Sequence, residues 1–408
     1  MVTLQSMSQS LVEKESSISS QVSCYRREEE LTKIMIIGFG NLASHILNIL
    51  LQFPEVGKIV VASRSEEHLN RAKNLSVFTA IQLERYGKVE CQYLDLWDIE
   101  KSAEAIAVVQ PSIILNTSTL QSWRVITNLP KQVFSKLDQA QFGPWLPMHL
   151  TLNYKLMLAV KMAEVNSLVV NAAFPDALNP VLDKVGLAPD AGIGNVANII
   201  PALKSSIAFH LNVMAQQINV NFIAHHYLSH SIPRFGTAGN IPFHLSASLD
   251  GENITNTIDL EKVFKLLTSK FRRLGGVDGQ LLTASSAARV LLGLCSESTT
   301  FTHAPGVQGL PGGYPIMVNS RGLAISLPQG VTLQEAVEIN LAGQKADGIE
   351  SIDEQGTVHF RDQEMEIMKR MLGYECKSMT LADSEYWANE LAQKYKIFAD
   401  KYPVNYNR

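Results

Sequence analysis

The run Ile37-Gly38-Phe39-Gly40-Asn41-Leu42-Ala43 holds the spacing G-x-G-x-x-A between an apolar stretch opening at Lys33 and a helical pattern of Ile46, Leu47, Ile49, Leu50 and Phe53. Strand, glycine turn and helix in that order leave bare backbone N–H groups at a helix N-terminus, where the positive end of the dipole meets a pyrophosphate. Glycine-rich turns are common, so the flanking strand and helix give the motif its meaning. Gly38, Gly40, Asn41 and Leu42 are thus expected to cradle a dinucleotide. A second apolar run, Lys58 to Arg64, stands where a βαβ unit requires its next strand. It ends in Ser63-Arg64-Ser65 rather than in the Asp or Glu that grips a ribose 2′-hydroxyl. A guanidinium and two hydroxyls suit a 2′-phosphate, so the expected cofactor is NADP, used as NADPH.

Other reactive side chains lie further on. Phe174-Pro175-Asp176-Ala177-Leu178-Asn179-Pro180 follows a fifth apolar run, at the edge of the sheet where open α/β folds bind ligands. Its prolines fix the path of the chain, so Asp176 offers a carboxylate to an ammonium or iminium and Asn179 an amide to a carboxylate. Both residues equally suit helix caps. Gly192-Ile193-Gly194-Asn195 reads as a second backbone cradle or as a tight turn, with Asn195 capping the next helix. His225, His226 and His230 occupy a stretch read as extended, where alternation sends His226 and His230 to one face and His225 to the other. A histidine near neutral pKa can donate the proton that accompanies hydride transfer, which makes His226 the candidate acid, against the alternative of an ordinary hydrogen-bonded ring. Arg234 on a constrained loop is a fork for a substrate carboxylate or half of a surface ion pair, and His225 joins it and Asn179 on the substrate side. Tyr314, after a loop rich in glycine and proline, is a phenolic proton donor or a plain strand residue. No acid or cysteine joins the histidines at ligand spacing, so no metal is expected.

Elements must position these groups. Ser65 is placed to cap a helix carrying Leu69, Ala72, Leu75 and Phe78; Val89 to Leu96 forms a third strand, Asp98 caps a helix that Pro111 ends, and Ser112 to Thr117 is a fourth strand. A helix near Tyr154 to Glu164 and a fifth strand, Ser167 to Ala173, complete a parallel sheet covered by helices. Beyond it, Ile218 to Ser231 reads as extended, and hairpins are expected around Asp250-Gly251, Ser320-Arg321-Gly322 and Glu354-Gln355-Gly356. Helices are expected at Leu260 to Phe271, Leu281 to Cys295 and Thr332 to Gly343, the last opened by the capping box Thr332-x-x-Glu335, and an amphipathic segment near Ser384 to Tyr402 closes the chain. The expected fold is α/β: a Rossmann-type doubly wound parallel sheet plus a second α+β domain with a mainly antiparallel sheet. Residues 1–32 read as a flexible extension, 33–178 as the NADP-binding domain, 179–380 as the substrate and dimerisation domain, and 381–408 as a helix packing back on the first domain.

A chain of 408 residues is long for one core, which agrees with two domains. With a net charge of −4 and no basic stripe, nucleic acid and anionic membrane are poor partners, leaving a small-molecule substrate and a second copy of the chain in a homodimer. Four widely spaced cysteines form neither a zinc ribbon nor a disulfide framework, and neither a membrane span nor an export signal is evident, so a cytoplasmic protein is expected.

The Ile37-Gly38-Phe39-Gly40 opening, the Ser63-Arg64 strand end, Leu94-Asp95-Leu96 with Asp98, Leu115-Asn116-Thr117 and the proline-containing loop after strand five together resemble the saccharopine dehydrogenase-like NAD(P)-binding oxidoreductases. The resemblance covers residues 33 to about 180 and is loose beyond. It implies Asp95 near the adenine and Asn116, Thr117, Ser118 and Ala173 near the nicotinamide. It also implies reduction of a C=N bond, or the reverse amine dehydrogenation, on a small amino-acid-derived substrate. The alternatives are a carbonyl reductase using the same cofactor and a non-catalytic NADP-binding sensor or scaffold.

Overall fold

The computed structural model describes residues 32–402, so Cys24 and nearly all of the expected N-terminal extension lie outside the described residues. Six parallel strands, β1 (Ile34–Ile37), β2 (Ile59–Ser63), β3 (Val89–Tyr93), β4 (Ile113–Asn116), β5 (Leu168–Asn171) and β6 (Ala191–Gly192), form one sheet in the order β3-β2-β1-β4-β5-β6. Both faces of this sheet are covered, which explains why its strands read as continuous apolar runs. Ile34 and Ile36 of β1 belong to one core with Ile59 and Val61 of β2, while Met35 and Ile37 belong to the other with Val60 and Ala62. The strand order reverses between β1 and β4, and ligands of open α/β sheets bind at such a switch point.

Helices α1 (Asn41–Leu50), α2 (Glu66–Gln82) and α3 (Ile99–Val109) make the crossovers of the first half. Asp98 caps α3 as expected, accepting from Lys101 N–H at 3.1 Å. Between β4 and β5 the chain runs through a 3₁₀ segment at Trp123–Asn128, a short helix α4 (Lys131–Leu137), and the long helix α5 (Leu146–Met162), which starts eight residues before the expected Tyr154.

After β5 the prolines turn out to lie in a helix, α6 (Pro175–Asp183), rather than in a loop. Pro175 sits in the first turn, where a missing N–H costs nothing. Pro180 cannot donate to the carbonyl of Asp176, and that oxygen is taken instead by Gly312 N–H at 3.2 Å. Helix α7 (Val196–Leu211) follows β6.

The antiparallel part is divided into three small sheets rather than one: β7 (Ile218–Ile223), β8 (His244–Leu249) and β9 (Glu252–Asn253); β10 (Thr300–Pro305), β11 (Gly313–Asn319) and β12 (Gly322–Ile325); and β13 (Ile349–Ile352), β14 (Val358–Phe360) and β15 (Ser378–Met379). The turns at Asp250-Gly251, Ser320-Arg321-Gly322 and Glu354-Gln355-Gly356 lie where their residue types place them. The histidine stretch, expected to be extended, is instead helix α8 (His226–Phe235), closed by Gly236. A spacing of four puts His226 and His230 on one face of a helix as surely as on one face of a strand, so their pairing survives the change of element.

Helices α9 (Leu260–Thr268), α10 (Gln280–Leu294), α11 (Leu333–Ala346) and α12 (Asp362–Leu372) cover these sheets, and α11 opens with the full Thr332–Glu335 capping box. The last helix, α13 (Ser384–Ala399), lies on α5, where Tyr395 meets Trp145 edge to face and Glu385 pairs with Lys155 at 3.1 Å. No helix among the described residues is long and apolar enough to cross a membrane.

Candidate active site

At the β1 end the backbone is bare. Gly38 has φ +81, and a Cβ there would stand 2.7 Å from Ser118 N, so only glycine lets the β1 turn touch the loop after β4. Thr117 stitches the two together, donating from N to Ile37 O at 2.8 Å and from Oγ1 to Gly38 O at 2.6 Å. Gly40 occupies the N-cap position of α1 without a side-chain cap, and nothing lies within 4 Å of where its Cβ would be. With Asn41 exposed and Leu42 half-buried beside it, the first turn of α1 presents free N–H donors to an open space, which fits a pyrophosphate. Ser63, Arg64 and Ser65 sit at the carboxyl end of β2 with Arg64 and Ser65 exposed. Ser65 takes the N-cap position of α2 but its hydroxyl caps nothing. Past β3, half-buried Asp95 accepts from Trp97 N–H at 3.1 Å.

The β4 and β5 ends are the reverse, with Asn116, Asn171, Asp176 and Asn179 each engaged. Asn116 is fully buried, donates to Asn153 Oδ1, and accepts from Ser118 N–H at 3.0 Å and Ser118 Oγ at 2.6 Å. Its amide is used in shaping the loop after β4. Ala173 donates its N–H to Asn171 Oδ1 at 2.8 Å. Asn179, expected on the substrate side, is fully buried between Asn171 Nδ2 at 3.0 Å and Gly306 O at 2.9 Å, so it anchors the loop before β11.

Asp176 is also fully buried, accepting from the N–H of His226 at 2.9 Å and from the amide of Asn195. Asn195 stands at the N-cap of α7 but turns its side chain to Asp176 instead of to its own helix. Asp176 therefore caps α8 from a distant element and cannot hold a substrate nitrogen, contrary to expectation.

The chemistry gathers around His226. Its Nδ1 lies 3.2 Å from Asp347 Oδ2 and its Nε2 lies 2.7 Å from Nε2 of His230. Phe142 and Phe174 pack on the ring at centroid distances of 5.1 and 5.7 Å, which places it beside the loop that leaves β5. Burial disfavours the charged ring, but the charge and hydrogen bond of Asp347, with Asp176 behind, outweigh it and raise the His226 pKa. Its neighbours go the other way. Burial and the nearby His226 push His149 down to about 3, with its Nδ1 at 3.2 Å from Thr119 Oγ1 and its Nε2 unpartnered. Loss of hydration, then His226 and the guanidinium groups of Arg124, Arg273 and Arg234, hold His230 well below the usual histidine range.

Three of these groups escaped sequence reasoning. Asp347 ends α11, where the helix dipole disfavours a carboxylate by about 0.3–1 kcal/mol. A charge-assisted hydrogen bond is worth about 1.5–3 kcal/mol, so the acid at that position is itself a sign of a cationic partner. Arg124, in the 3₁₀ segment after β4, donates from Nη1 to Gly276 O at 2.5 Å, and burial together with the charge of Arg273 lowers its pKa. Neither arginine forms an ion pair among the described residues. Two neighbouring guanidinium groups without an acid would suit an anion.

The remaining expectations fail for visible reasons. Arg234 pairs with Asp138 and rests on Phe134 and Phe235, the plain ion pair rather than the carboxylate fork. Tyr314 is fully buried in β11, donates to Pro311 O at 2.7 Å, and has its pKa raised by burial, so it cannot serve as an acid. His225 caps α8 through Nδ1, accepting from Tyr227 N–H at 3.3 Å, and is enclosed against α11. Among the described residues no group of three or more His, Cys, Asp or Glu side chains could hold a metal ion.

No protein-family model and no curated protein sequence matches the chain. Solved structures do. Malate dehydrogenase of Plasmodium falciparum in complex with NADH superposes with a TM-score of 0.51 at 12% identity, covering 77% of this chain and 98% of that one. Lactate dehydrogenase of Eimeria maxima with NADH and oxamate gives 0.53 at 12% identity over 78% and 91%, and malate dehydrogenase of Cryptosporidium parvum 0.52 at 14% over 78% and 98%. The chain has the fold of these dehydrogenases. The saccharopine dehydrogenase-like resemblance is not shown at this level, and the expectation of C=N reduction is overturned. Its structural neighbours are malate and lactate dehydrogenases, and two groups expected to hold the substrate are already engaged, Asp176 by His226 and Asn195 and Arg234 by Asp138.

Proposed function

We propose that this chain is a nicotinamide-dinucleotide-dependent dehydrogenase interconverting a hydroxyl and a carbonyl on a small organic acid. The observation that carries this reading is the Asp347–His226 pair beside the β5 end, 3.2 Å between Nδ1 and Oδ2, on a sheet whose β1 turn fits a pyrophosphate. When bound, the dinucleotide supplies or accepts the hydride. Gly38, Gly40, Asn41 and Leu42 would hold its pyrophosphate, Thr117, Ser118 and Ala173 would border the nicotinamide, and Ser63, Arg64 and Ser65 would meet the adenosine ribose. Exposed Arg64 with two hydroxyls favours a 2′-phosphate and hence NADPH.

His226 holds the proton that the chemistry needs. Asp347 fixes its tautomer with a hydrogen at Nδ1 and keeps the ring cationic nearer neutrality, while Phe142 and Phe174 exclude water from its faces. Arg124 and Arg273, neither in an ion pair among the described residues, would neutralise a substrate carboxylate. Oxidation of NADPH and NADH is to be followed with 2-oxo acids alone, with 2-oxo acids plus amines, and with neutral ketones. Turnover with 2-oxo acids and no amine is expected; its absence with every carbonyl compound would overturn the reading.

A further inference from the structure

In the free protein both ring nitrogens of His226 are engaged: Nδ1 by Asp347 and Nε2 by His230 at 2.7 Å. His226 itself is 7% exposed, whereas His230, one turn further along α8, is exposed. We propose that the reacting oxygen exchanges its proton with Nδ1 of His230, and that His226 communicates with the substrate through this second ring rather than directly.

Two Nε2 atoms 2.7 Å apart cannot both carry hydrogen, so one proton lies between them. Asp347 accepts the Nδ1 hydrogen of His226, which leaves Nε2 of His226 as the site where a proton comes and goes. When His226 is cationic, His230 must offer a bare Nε2 and carry its hydrogen on Nδ1, the nitrogen for which no protein partner is found among the described residues. The guanidinium groups of Arg124 and Arg273, neither in an ion pair among the described residues, act on the His230 ring, and they are the groups to which a substrate carboxylate would bind. Trp123 flanks the His230 ring with its own ring centroid 6.3 Å away.

In reduction, the carbonyl carbon takes the hydride of the reduced dinucleotide, and its oxygen takes the Nδ1 proton of His230 as that N–H bond breaks. Nε2 of His230 takes the proton leaving Nε2 of His226, and His226 ends neutral with Nδ1–H still on Asp347. Oxidation runs the same steps backwards. The charged groups acting on the pair are Asp347 and Asp176 on His226, and Arg124, Arg273 and Arg234 on His230, the last of these paired with Asp138, with His149 and His225 adjoining. The acids keep the charge on His226, and the guanidinium groups leave His230 neutral, as the relay requires.

The relay rests on the proposed function for its substrate but not for its proton, so the test has two arms. In the first, histidine 15N resonances of the parent and His230→Ala are titrated without substrate. A coupled pair with His230 in the Nδ1–H form is expected, and removing His230 should lower the His226 midpoint by about one pH unit. An unchanged midpoint would overturn the relay whatever the enzyme turns over. In the second, His230→Ala should lower kcat about tenfold or more with KM and dinucleotide affinity within about twofold, and free imidazole should restore it in proportion to its concentration. A kcat equal to the parent's, or a loss that imidazole does not repair, would overturn it. A parent inactive on every carbonyl compound would instead sink the proposed function and leave the first arm to decide the relay.

Discussion

The two ends of the same sheet edge are built from opposite materials. Around β1 and β2 the surface is backbone and short loops: Gly38 and Gly40 without side chains, an uncapped first turn of α1, and Ser65 whose hydroxyl bonds to nothing. Around β4 and β5 it is a closed lattice of side chains, in which Asn116, Asn171, Asp176 and Asn179 each satisfy two or more partners out of water. A cofactor made of phosphates needs donors that no side chain obstructs, while a group that moves a proton needs its charge and tautomer held still. The open half binds through what is missing, and the dense half works through what is locked.

Disabling the dense half should have the largest effect. His226→Gln keeps a polar side chain but cannot carry the proton, so kcat should fall about 100- to 10,000-fold while dinucleotide affinity, measured by calorimetry, stays within about twofold. A comparable loss of dinucleotide binding would erase the division between the halves. Next comes the anion site. Truncating the partner of a bound carboxylate costs about 2–5 kcal/mol, so Arg124→Ala should lower kcat/KM for 2-oxo acids about 30-fold or more and leave neutral ketones nearly unaffected. In the open half, Arg64→Ala should remove a preference for NADPH over NADH of about tenfold and leave kcat alone, as read from the ratio of dissociation constants.

How legible each half was follows from the same contrast. The glycine turn, the capping box at Thr332 and Glu335, and the turn residues Asp250-Gly251 act within a few positions, where residue type determines geometry. The dense half is assembled from far apart: His226 and Asp347 are separated by 121 positions and Arg124 and Gly276 by 152. No local pattern can pair them. Helix α6 was illegible because Pro180 is a helix breaker by itself and is tolerated only because Gly312 takes up the carbonyl it frees. Arg234 and Tyr314 have chemistry that suits a site, but their partners Asp138 and Pro311 are seen only in three dimensions.

The smallest expected effect is on stability. His149 and His303, each held down to about 3 chiefly by burial, are neutral when folded and bind protons on unfolding. Burial lowers His225 and His230 as well. Such groups contribute stability that is full above the unfolded-state pKa of about 6.5 and is lost as pH falls toward their folded values. His244 is lowered by burial too, and His226, raised, runs the opposite way but is one against five. Tm should therefore drop by several degrees between pH 7.5 and 5.5, and His149→Gln should flatten that slope whereas Arg64→Ala should not. Equal slopes in all three proteins would remove the acid sensitivity from the dense half.

The central claim is hydride transfer to a carbonyl at this edge, and the most direct measurement of it uses NADPH and NADH deuterated at C4. Mixed with 2-oxo acids in the absence of any amine, the parent protein should place deuterium on carbon 2 of a 2-hydroxy acid, read by mass spectrometry, and His226→Gln should do so far more slowly. Deuterium appearing in product only when an amine is supplied, or at equal rates with and without His226, would contradict the account.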